Sequence, residues 1–266
     1  MLAGLASQAA ILTAVLVYFG WARAQATYGY FGVDVSALSF SVADYVLRSV
    51  DAAFPPLVVF GLIGTVAMIG HAQLRPKIEQ DADLARWVVT RTAWTGIVLV
   101  LAGFALALAL TGPDGSEIWG PVVLLIGFGV ATYSVRHSGL RTSYLALTAG
   151  MTLVALLWTV SAYASYIGGQ KAEQVVSGLP TAADVTVYST SNLLLTGPGI
   201  TVSDITASQS AYHFRYDGLR LLVSSGGQYF LLPSRWRQGD GAVFALPVTS
   251  PGILVEFTVT RGVRAG

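Results

Sequence analysis

Histidine is the residue of this sequence that most often binds transition metals, and the chain has three: His71, His137 and His213. A protein zinc site needs three or four side chains that converge on one ion. The histidines are far apart along the chain, and the membrane topology inferred below places His213 on the side opposite to the other two. We therefore expect each to be an ordinary interfacial or surface residue rather than part of a shared metal site.

A short acidic run, Glu79, Asp81 and Asp83, precedes the third apolar stretch of the chain. Carboxylates suit hard divalent cations, so a cation site is one interpretation of this run. The other is the solvated first turn of a helix that leads into Arg86, where the helix dipole favours negative side chains. We prefer the second interpretation because it needs no ligand.

Catalytic motifs are missing from the sequence. The chain has no cysteine, which excludes thiolate catalysis, Fe–S clusters and cysteine zinc sites. It has neither the glycine–lysine spacing of a phosphate-binding loop nor a G-x-S-x-G or H-E-x-x-H motif. A net charge of +1 is too small for a nucleic-acid-binding protein, which needs clustered basic residues. We therefore predict no catalytic residue, no cofactor, no bound metal and no nucleic acid partner.

The positions of the charged residues indicate a membrane protein. Only 11% of residues are charged, whereas an ordinary soluble domain has about 25%. A helix needs about 20 apolar residues to cross the ~30 Å hydrocarbon core of a bilayer. Five stretches of suitable length contain no Asp, Glu, Lys or Arg: 2–22, 54–73, 94–111, 119–135 and 144–166. We predict a transmembrane helix in each, within a helical bundle that covers residues 1–167.

The first stretch has a second interpretation, as a cleaved signal peptide. Small residues follow its apolar core at 22–26, as they do at a cleavage site. Signal peptides normally begin with a basic segment, however, and the first eight residues contain no Lys or Arg. We predict an uncleaved helix, with cleavage as the alternative.

The basic residues near the stretches determine the predicted orientation. The loops after the second and fourth stretches contain Arg75, Lys77, Arg86, Arg91, Arg136 and Arg141. The loops on the other side contain Arg23, Arg48 and Lys171. Because cytoplasmic loops carry the excess of Lys and Arg, we predict a cytoplasmic N-terminus and an extracytoplasmic chain after the fifth stretch.

Residues 168–266 are predicted to form a small all-β antiparallel domain, a sandwich or a barrel. Short runs rich in β-branched and aromatic residues, which are typical of strands, replace the long apolar stretches there. The predicted strands are 185–189, 200–206, 212–216, 219–224, 228–232, 243–246 and 253–260. Asp217-Gly218 and Gly226-Gly227 are each predicted to form a hairpin turn, since both pairs tolerate positive φ.

Tyr212, Phe214 and Tyr216 alternate with polar residues in one predicted strand. Alternation is typical of a strand with one face in the core and the other in solvent. The other interpretation is an aromatic platform that contacts a ligand or partner. We therefore name these three aromatic residues as candidate interface residues.

The loop 23–53 is longer than a connection between two helices requires, and long loops are often functional. After Ser41, apolar residues recur at helical spacing, which predicts an amphipathic helix at the outer interface of the membrane. We expect Pro55-Pro56 to end this helix before the second span.

Asp44, Arg48 and Asp51 lie on the polar face of this predicted helix, where Asp44 and Arg48 have the spacing of an ion pair. A solvated charged stripe is one interpretation of the three residues. Contact of these side chains with the β domain or with a partner is the other. We therefore also name them as candidate interface residues.

Two segments resemble a known group of proteins. Residues 28–51 (YGYFGVDVSALSFSVADYVLRSVD) and 216–236 (YDGLRLLVSSGGQYFLLPSRW) are similar to stretches that recur in an uncharacterised family of multi-pass membrane proteins of actinobacteria. The resemblance implies a bacterial plasma membrane. It brings no activity, so no functional residue is carried over.

The sequence as a whole predicts a multi-pass protein of the bacterial plasma membrane, whose helical bundle anchors an extracytoplasmic β domain. The lipid bilayer is thus one predicted partner. The favoured function is non-catalytic recognition of an envelope component or protein partner. The alternative is an accessory or permeation subunit of a transport assembly, although the absence of ionised groups from the five stretches disfavours a self-contained ion-coupled carrier. A membrane enzyme is the third hypothesis.

Overall fold

Five long helices form most of the N-terminal two thirds of the chain. The computed structural model describes residues 2–110, 116–138, 141–206, 210–239 and 241–258. Its helices are α1 (Leu2–Gly29), α2 (Val42–Gln80), α3 (Ala82–Ala109), α4 (Trp119–His137) and α5 (Thr142–Gly178). Short 3-10 turns lie at Val35–Leu38, Ser116–Ile118 and Leu179–Thr181. All five predicted stretches are helical except at the end of the third, where α3 ends at Ala109 and position 111 lies outside the described residues.

Within the described residues, four candidate membrane spans are long and apolar enough to cross a bilayer, which indicates a membrane protein. They are Ala53–Gln73, Asp83–Ala109, Ser116–His137 and Thr142–Thr181, and they contain the second, fourth and fifth predicted stretches and residues 94–109 of the third. Leu62, Leu101 and Leu108 on these spans are between 63% and 81% exposed. Exposed leucines on several helices are expected where lipid rather than water surrounds the protein. The first stretch forms α1, and its membrane crossing stays a prediction.

α2 continues through Pro55 and Pro56, so the prediction that these prolines end a separate helix is wrong. A proline removes a backbone hydrogen bond, but its fixed φ of about −65° is compatible with a helix. Packing next to the prolines helps to hold α2 together, because Ala53 forms a buried cluster with Phe19 and Val160. Tertiary contacts therefore offset the local cost of the two prolines.

Glycine permits close contact between helices at two places in the bundle. A Cβ at Gly20 of α1 would overlap the backbone carbonyl of Tyr45 of α2. A Cβ at Gly103 of α3 would lie 2.7 Å from the backbone nitrogen of Leu124 of α4, closer than a side chain allows. Small residues allow helix backbones to approach within a membrane, where dispersion forces rather than the hydrophobic effect hold helices together.

The C-terminal part of the chain forms one antiparallel sheet. Its strands are β1 (Asp184–Ser189), β2 (Thr201–Asp204), β3 (Phe214–Ser225), β4 (Gln228–Pro233), β5 (Phe244–Pro247) and β6 (Ile253–Thr258). The strand order is β5-β4-β3-β1-β6, and β2 pairs with β3. The all-β antiparallel prediction is confirmed, but the sheet is open, so a sandwich or a barrel is not confirmed.

The Gly226-Gly227 turn joins β3 to β4 as predicted. The prediction of a hairpin turn at Asp217-Gly218 is wrong. The two strands predicted on either side of Asp217-Gly218 form the single strand β3. There, Asp217 and Gly218 oppose only Thr186 of β1, so the pair forms a β-bulge. Gly218 has a φ of +82°, and a Cβ at this position would overlap the carbonyl oxygen of Gly199. The positive φ of Gly218 thus occurs in a bulge within a strand and not in a turn that reverses the chain.

The core of the sheet lies on one face. Its fully buried side chains come from the three central strands: Val185, Val187, Tyr216, Leu219 and Leu231. Leu195, which lies between β1 and β2, covers this face together with Leu193 and Ile200. The connection 190–200 therefore completes the core that a single sheet cannot enclose.

The chain consists of two compact units. The helical unit contains Met1–Arg23 and Ala43–Ile167, and the sheet unit contains Ala24–Val42 and Gly168–Gly266. Part of the loop 23–53 thus belongs with the sheet. In the sheet unit the Phe31 ring lies 4.9 Å from that of Trp236, and Ser225 Oγ donates a hydrogen bond to the carbonyl oxygen of Leu38.

Candidate binding surface on the β-sheet

The face of the sheet opposite the core has a covered half and an open half. In the covered half, Arg220 is 8% exposed and its Nε donates to the carbonyl oxygen of Leu179 at 2.9 Å. Phe230 and Leu232 are also buried there. In the open half, directly paired residues of neighbouring strands share the same face. Register therefore brings Tyr188 beside Arg215 and Thr186 beside Glu256.

Hydrogen bonds, together with the contact of the Arg215 guanidinium with the Tyr188 ring, join the side chains of the open half into a group that we call the sheet-face cluster: Thr186, Tyr188, Arg215, Asp217 and Glu256. Tyr188 Oη donates to Glu256 Oε2 at 3.0 Å, which joins β1 to β6. Arg215 Nε and Nη2 both donate to Asp217 Oδ1, at 3.1 and 3.0 Å. Thr186 Oγ1 donates to the same oxygen at 2.9 Å. The bulge at Asp217 thus places one carboxylate within reach of two strands.

Hydrogen bonds within the cluster raise the pKa of two of its members, Tyr188 and Arg215. The hydrogen bond to Glu256 is the largest of the effects that raise the pKa of the Tyr188 phenol above its usual value, so this phenol stays protonated at neutral pH. The hydrogen bond to Asp217 likewise raises the pKa of the Arg215 guanidinium. One guanidinium and two carboxylates leave a single negative charge in excess.

The arrangement offers groups that can bind a ligand or a partner. The Tyr188 phenol, whose pKa is raised, can donate or accept a hydrogen bond. The Arg215 guanidinium lies 5.9 Å from the centre of the Tyr188 ring and is 47% exposed. The cluster therefore presents an aromatic ring, hydrogen-bond donors and carboxylate oxygens that are held in fixed positions by its own hydrogen bonds.

The three predicted aromatic residues occupy different environments. Tyr216 is fully buried: its hydroxyl donates to Asn192 Oδ1 and accepts from the Leu193 N–H, both at 2.8 Å. Phe214 packs on the same core. Tyr212 is half-buried, and its ring lies 6.2 Å from that of Tyr188. Tyr216 is therefore a core residue rather than part of a platform, whereas Tyr212 borders the sheet-face cluster.

The predicted charged residues of the loop 23–53 lie at the beginning of α2. Asp44 is in the first turn of α2, and Arg48 follows one turn later. The backbone oxygen of Arg48 accepts a hydrogen bond from Arg23 Nη1 at 2.8 Å, within the helical unit. Asp51 belongs to α2, but its side chain lies outside the described residues. Contact of these three residues with a partner stays a prediction.

Two residues of the acidic run, Asp81 and Asp83, form a helix start as predicted, whereas Glu79 does not. Asp81 precedes α3, and its Oδ1 accepts hydrogen bonds from the backbone N–H groups of Asp83 and Leu84 at 2.9 and 3.1 Å. Asp83 pairs with Arg86 at 2.8 Å. Glu79 lies in the last turn of α2, and its side chain is outside the described residues.

Sequence reasoning missed two groups of residues. Thr186, Tyr188 and Glu256 were not singled out, because only strand register shows that they meet Arg215 and Asp217. His71 and His137 were treated as separate residues, but their rings lie 5.1 Å apart in the helical unit. The sequence did offer one sign of their proximity, because both histidines lie near the ends of predicted spans that face the same predicted side of the membrane.

Comparisons of the chain with protein-family models, curated proteins and solved structures find no match. The function must therefore be argued from the residues themselves.

Proposed function

We propose that the protein is a five-span protein of the bacterial plasma membrane that presents its β domain outside the cytoplasm for recognition of an envelope component or a protein partner. Recognition in this proposal is non-catalytic. The observation that carries it is the sheet-face cluster, in which the exposed Arg215 and Glu256 and the half-buried Tyr188, on three strands, are held in place by hydrogen bonds. Such pre-organised groups bind with a smaller loss of side-chain entropy.

The proposed topology rests on charge and on the length of α1. Basic residues are concentrated in the loops after the second and fourth stretches, which favours a cytoplasmic position for those loops. α1 has 28 residues, which is enough to cross a bilayer and makes it the proposed fifth span. An odd number of spans places the N-terminus and the β domain on opposite sides.

Single cysteines test this topology directly, because the natural chain has none. Ser203→Cys is in exposed strand β2, and Ser138→Cys is at the exposed end of α4. A membrane-impermeant maleimide added to intact cells should label Ser203→Cys and spare Ser138→Cys. The reverse labelling would overturn the proposed orientation, and labelling after membrane disruption confirms that both sites react.

The polar groups within the candidate spans support recognition over transport. Thr65 Oγ1 donates to the Gly61 carbonyl oxygen at 2.8 Å, and Thr159 Oγ1 donates to that of Ala155 at the same distance. These hydroxyls are satisfied within their own helices. They provide little reason to expect a polar permeation path.

Crosslinking in native membranes tests recognition by the cluster. The combined variant Tyr188→Phe and Arg215→Gln removes the Tyr188 hydroxyl and the guanidinium without deleting a strand. Arg237→Gln is the matched control, because Arg237 is exposed in the same unit and lies outside the cluster. A species that crosslinks to the natural chain and to the control, but not to the combined variant, supports the proposal. Identical crosslinking by all three proteins would contradict it.

A further inference from the structure

We propose that His71 and His137 bind one divalent late transition-metal ion where α2 and α4 meet. Tyr133 and His137 are one helical turn apart on α4, and His71 lies beside them on α2. The His71 ring centre is 5.1 Å from that of His137 and 5.5 Å from that of Tyr133. All three residues belong to the helical unit. The site is separate from the sheet-face cluster and does not depend on the function proposed for it.

The separation of the two imidazoles fits a shared ion. Histidine nitrogens bind zinc at about 2.0–2.1 Å, so two rings on one ion have centres about 4.5–5.2 Å apart for ligand angles of about 90–110°. The observed 5.1 Å lies within that range. The two helices therefore hold the ring centres at a separation that one shared ion allows.

Tyr133 positions one of the two ligands. His71 Nδ1 lies 3.1 Å from Tyr133 Oη, within hydrogen-bond distance. A metal-bound histidine generally uses its second ring nitrogen in a hydrogen bond that fixes its tautomer and orientation. When Nδ1 donates to Tyr133, the lone pair of His71 Nε2 is left for the metal. Tyr133 is thus a positioning residue in this site.

The ligand set selects the class of metal. Imidazole favours copper, zinc and nickel, whereas magnesium and calcium prefer oxygen ligands. Among the described residues, no three His, Asp or Glu side chains converge on one point, so water molecules complete the coordination. His137 is exposed and His71 is half-buried, which leaves the site open to solvent. Copper(II) should bind more tightly than zinc, in the usual order of divalent metals.

Two arginines are close to the proposed ligands in sequence: Arg75, four residues after His71 on α2, and Arg136 on α4; the side chain of Arg75 lies outside the described residues. Arg136 precedes His137 on α4 and is exposed. Adjacent residues of a helix face different directions, so Arg136 is not on the side that His137 shares with Tyr133.

The test uses the full chain purified in detergent with an affinity tag that contains no histidine. Copper(II) and zinc(II) are titrated by calorimetry, and the copper complex is examined by electron paramagnetic resonance. We expect one ion per chain and hyperfine coupling from two nitrogens. His71→Asn and His137→Asn should each weaken binding at least tenfold, and Tyr133→Phe should weaken it about tenfold.

His213→Asn is the matched control, because His213 is the third and last histidine of the chain and belongs to the sheet unit. It should bind the metal as the natural chain does. The proposal is overturned if the natural chain binds no ion, if His71→Asn or His137→Asn binds as tightly as the natural chain, or if His213→Asn loses binding. Should the helical variants fail to fold, the copper spectrum of the natural chain decides, since a spectrum without two nitrogen ligands refutes the site.

Discussion

The aromatic rings of Tyr229 on β4 and Phe257 on β6 lie 5.5 Å apart, although β3 and β1 separate their strands. Adjacent strands are about 4.8 Å apart, so a flat sheet would hold β4 and β6 about 14 Å apart. The contact between the rings therefore shows that the sheet curls around its core face. Curvature lets a single open sheet enclose side chains that would otherwise need a second sheet.

The contact between Tyr229 and Phe257 should contribute to the stability of the sheet unit. Aromatic pairs contribute about 0.5–1.5 kcal/mol beyond the area that they bury. A double-mutant cycle with Tyr229→Ala and Phe257→Ala should give a coupling free energy of that size, measured by hydrogen exchange of the β4 amides. Leu254→Ala is the control on the same strand, since Leu254 has an exposure of 47% against 44% for Phe257 and lies on the other face. Equal coupling free energies of Tyr229→Ala with Phe257→Ala and with Leu254→Ala would contradict the curvature of the sheet.

The close approach of α1 and α2 should make Gly20 intolerant of any side chain. Gly20→Ala places a methyl group against the Tyr45 carbonyl oxygen, so the helices must separate. We expect a lower melting temperature in detergent, with a loss of about 1–3 kcal/mol, as is typical of overpacking. Gly64→Ala in α2 meets no atom within 4 Å and should be neutral or stabilising, because alanine favours helix over glycine by about 1 kcal/mol. A Gly20→Ala protein as stable as Gly64→Ala would refute the contact.

The hydroxyl of Tyr216 should matter more than that of Tyr212. Tyr216→Phe removes the acceptor of the half-buried Leu193 N–H and one of the donors to Asn192 Oδ1, which costs about 0.5–1.5 kcal/mol. Tyr212 is half-buried at the sheet surface, and Tyr212→Phe should change the free energy of unfolding by less than about 0.5 kcal/mol. Denaturant unfolding followed by a probe in the sheet unit compares the two. A larger loss of unfolding free energy in Tyr212→Phe than in Tyr216→Phe would contradict the placement of Tyr216 in the core and of Tyr212 at the surface.

Arg220 should be important for the stability of the sheet unit. Its guanidinium pairs with Asp184 and donates to the Leu179 carbonyl oxygen while nine tenths of the side chain is buried. Arg220→Ala removes both hydrogen bonds and should destabilise the sheet unit by about 1.5–3 kcal/mol, as loss of a hydrogen bond to a charged group does. Asp184→Asn should cost less, because the Asp184 side chain is 42% exposed and the backbone acceptors remain. Limited proteolysis after residue 178 reports the order of the two effects.

The pKa of Tyr188 should depend on Glu256. The hydrogen bond to Glu256 raises the pKa of the folded phenol above its unfolded value of about 10. The stabilisation is therefore fully present below pH 10 and is lost as the pH rises through the folded pKa. NMR titration of tyrosines labelled at the ring Cζ, assigned with Tyr188→Phe, should show this pKa fall in Glu256→Gln. An unchanged pKa in that variant would mean that the hydrogen bond is absent.

Several features could be predicted from the sequence because they depend on local composition. Charge-free stretches long enough to cross a bilayer must be helical there, and four candidate spans contain the second, fourth and fifth of them and most of the third. The predicted helix start in the acidic run depends on the helix dipole, and Asp81 and Asp83 do begin α3. The antiparallel strands and the Gly226-Gly227 turn follow from equally local patterns.

Other features were decided only by tertiary structure. Asp217-Gly218 has the composition of a turn, yet pairing with β1 on one side and β2 on the other keeps β3 continuous. Pro55 and Pro56 locally favour the end of a helix, but packing around Ala53 outweighs the free energy that the two prolines cost, so α2 continues. The sheet-face cluster and the His71–His137 pair join residues 31 to 68 positions apart. Local sequence carries the preference of each segment, whereas strand register and helix packing decide which distant side chains meet.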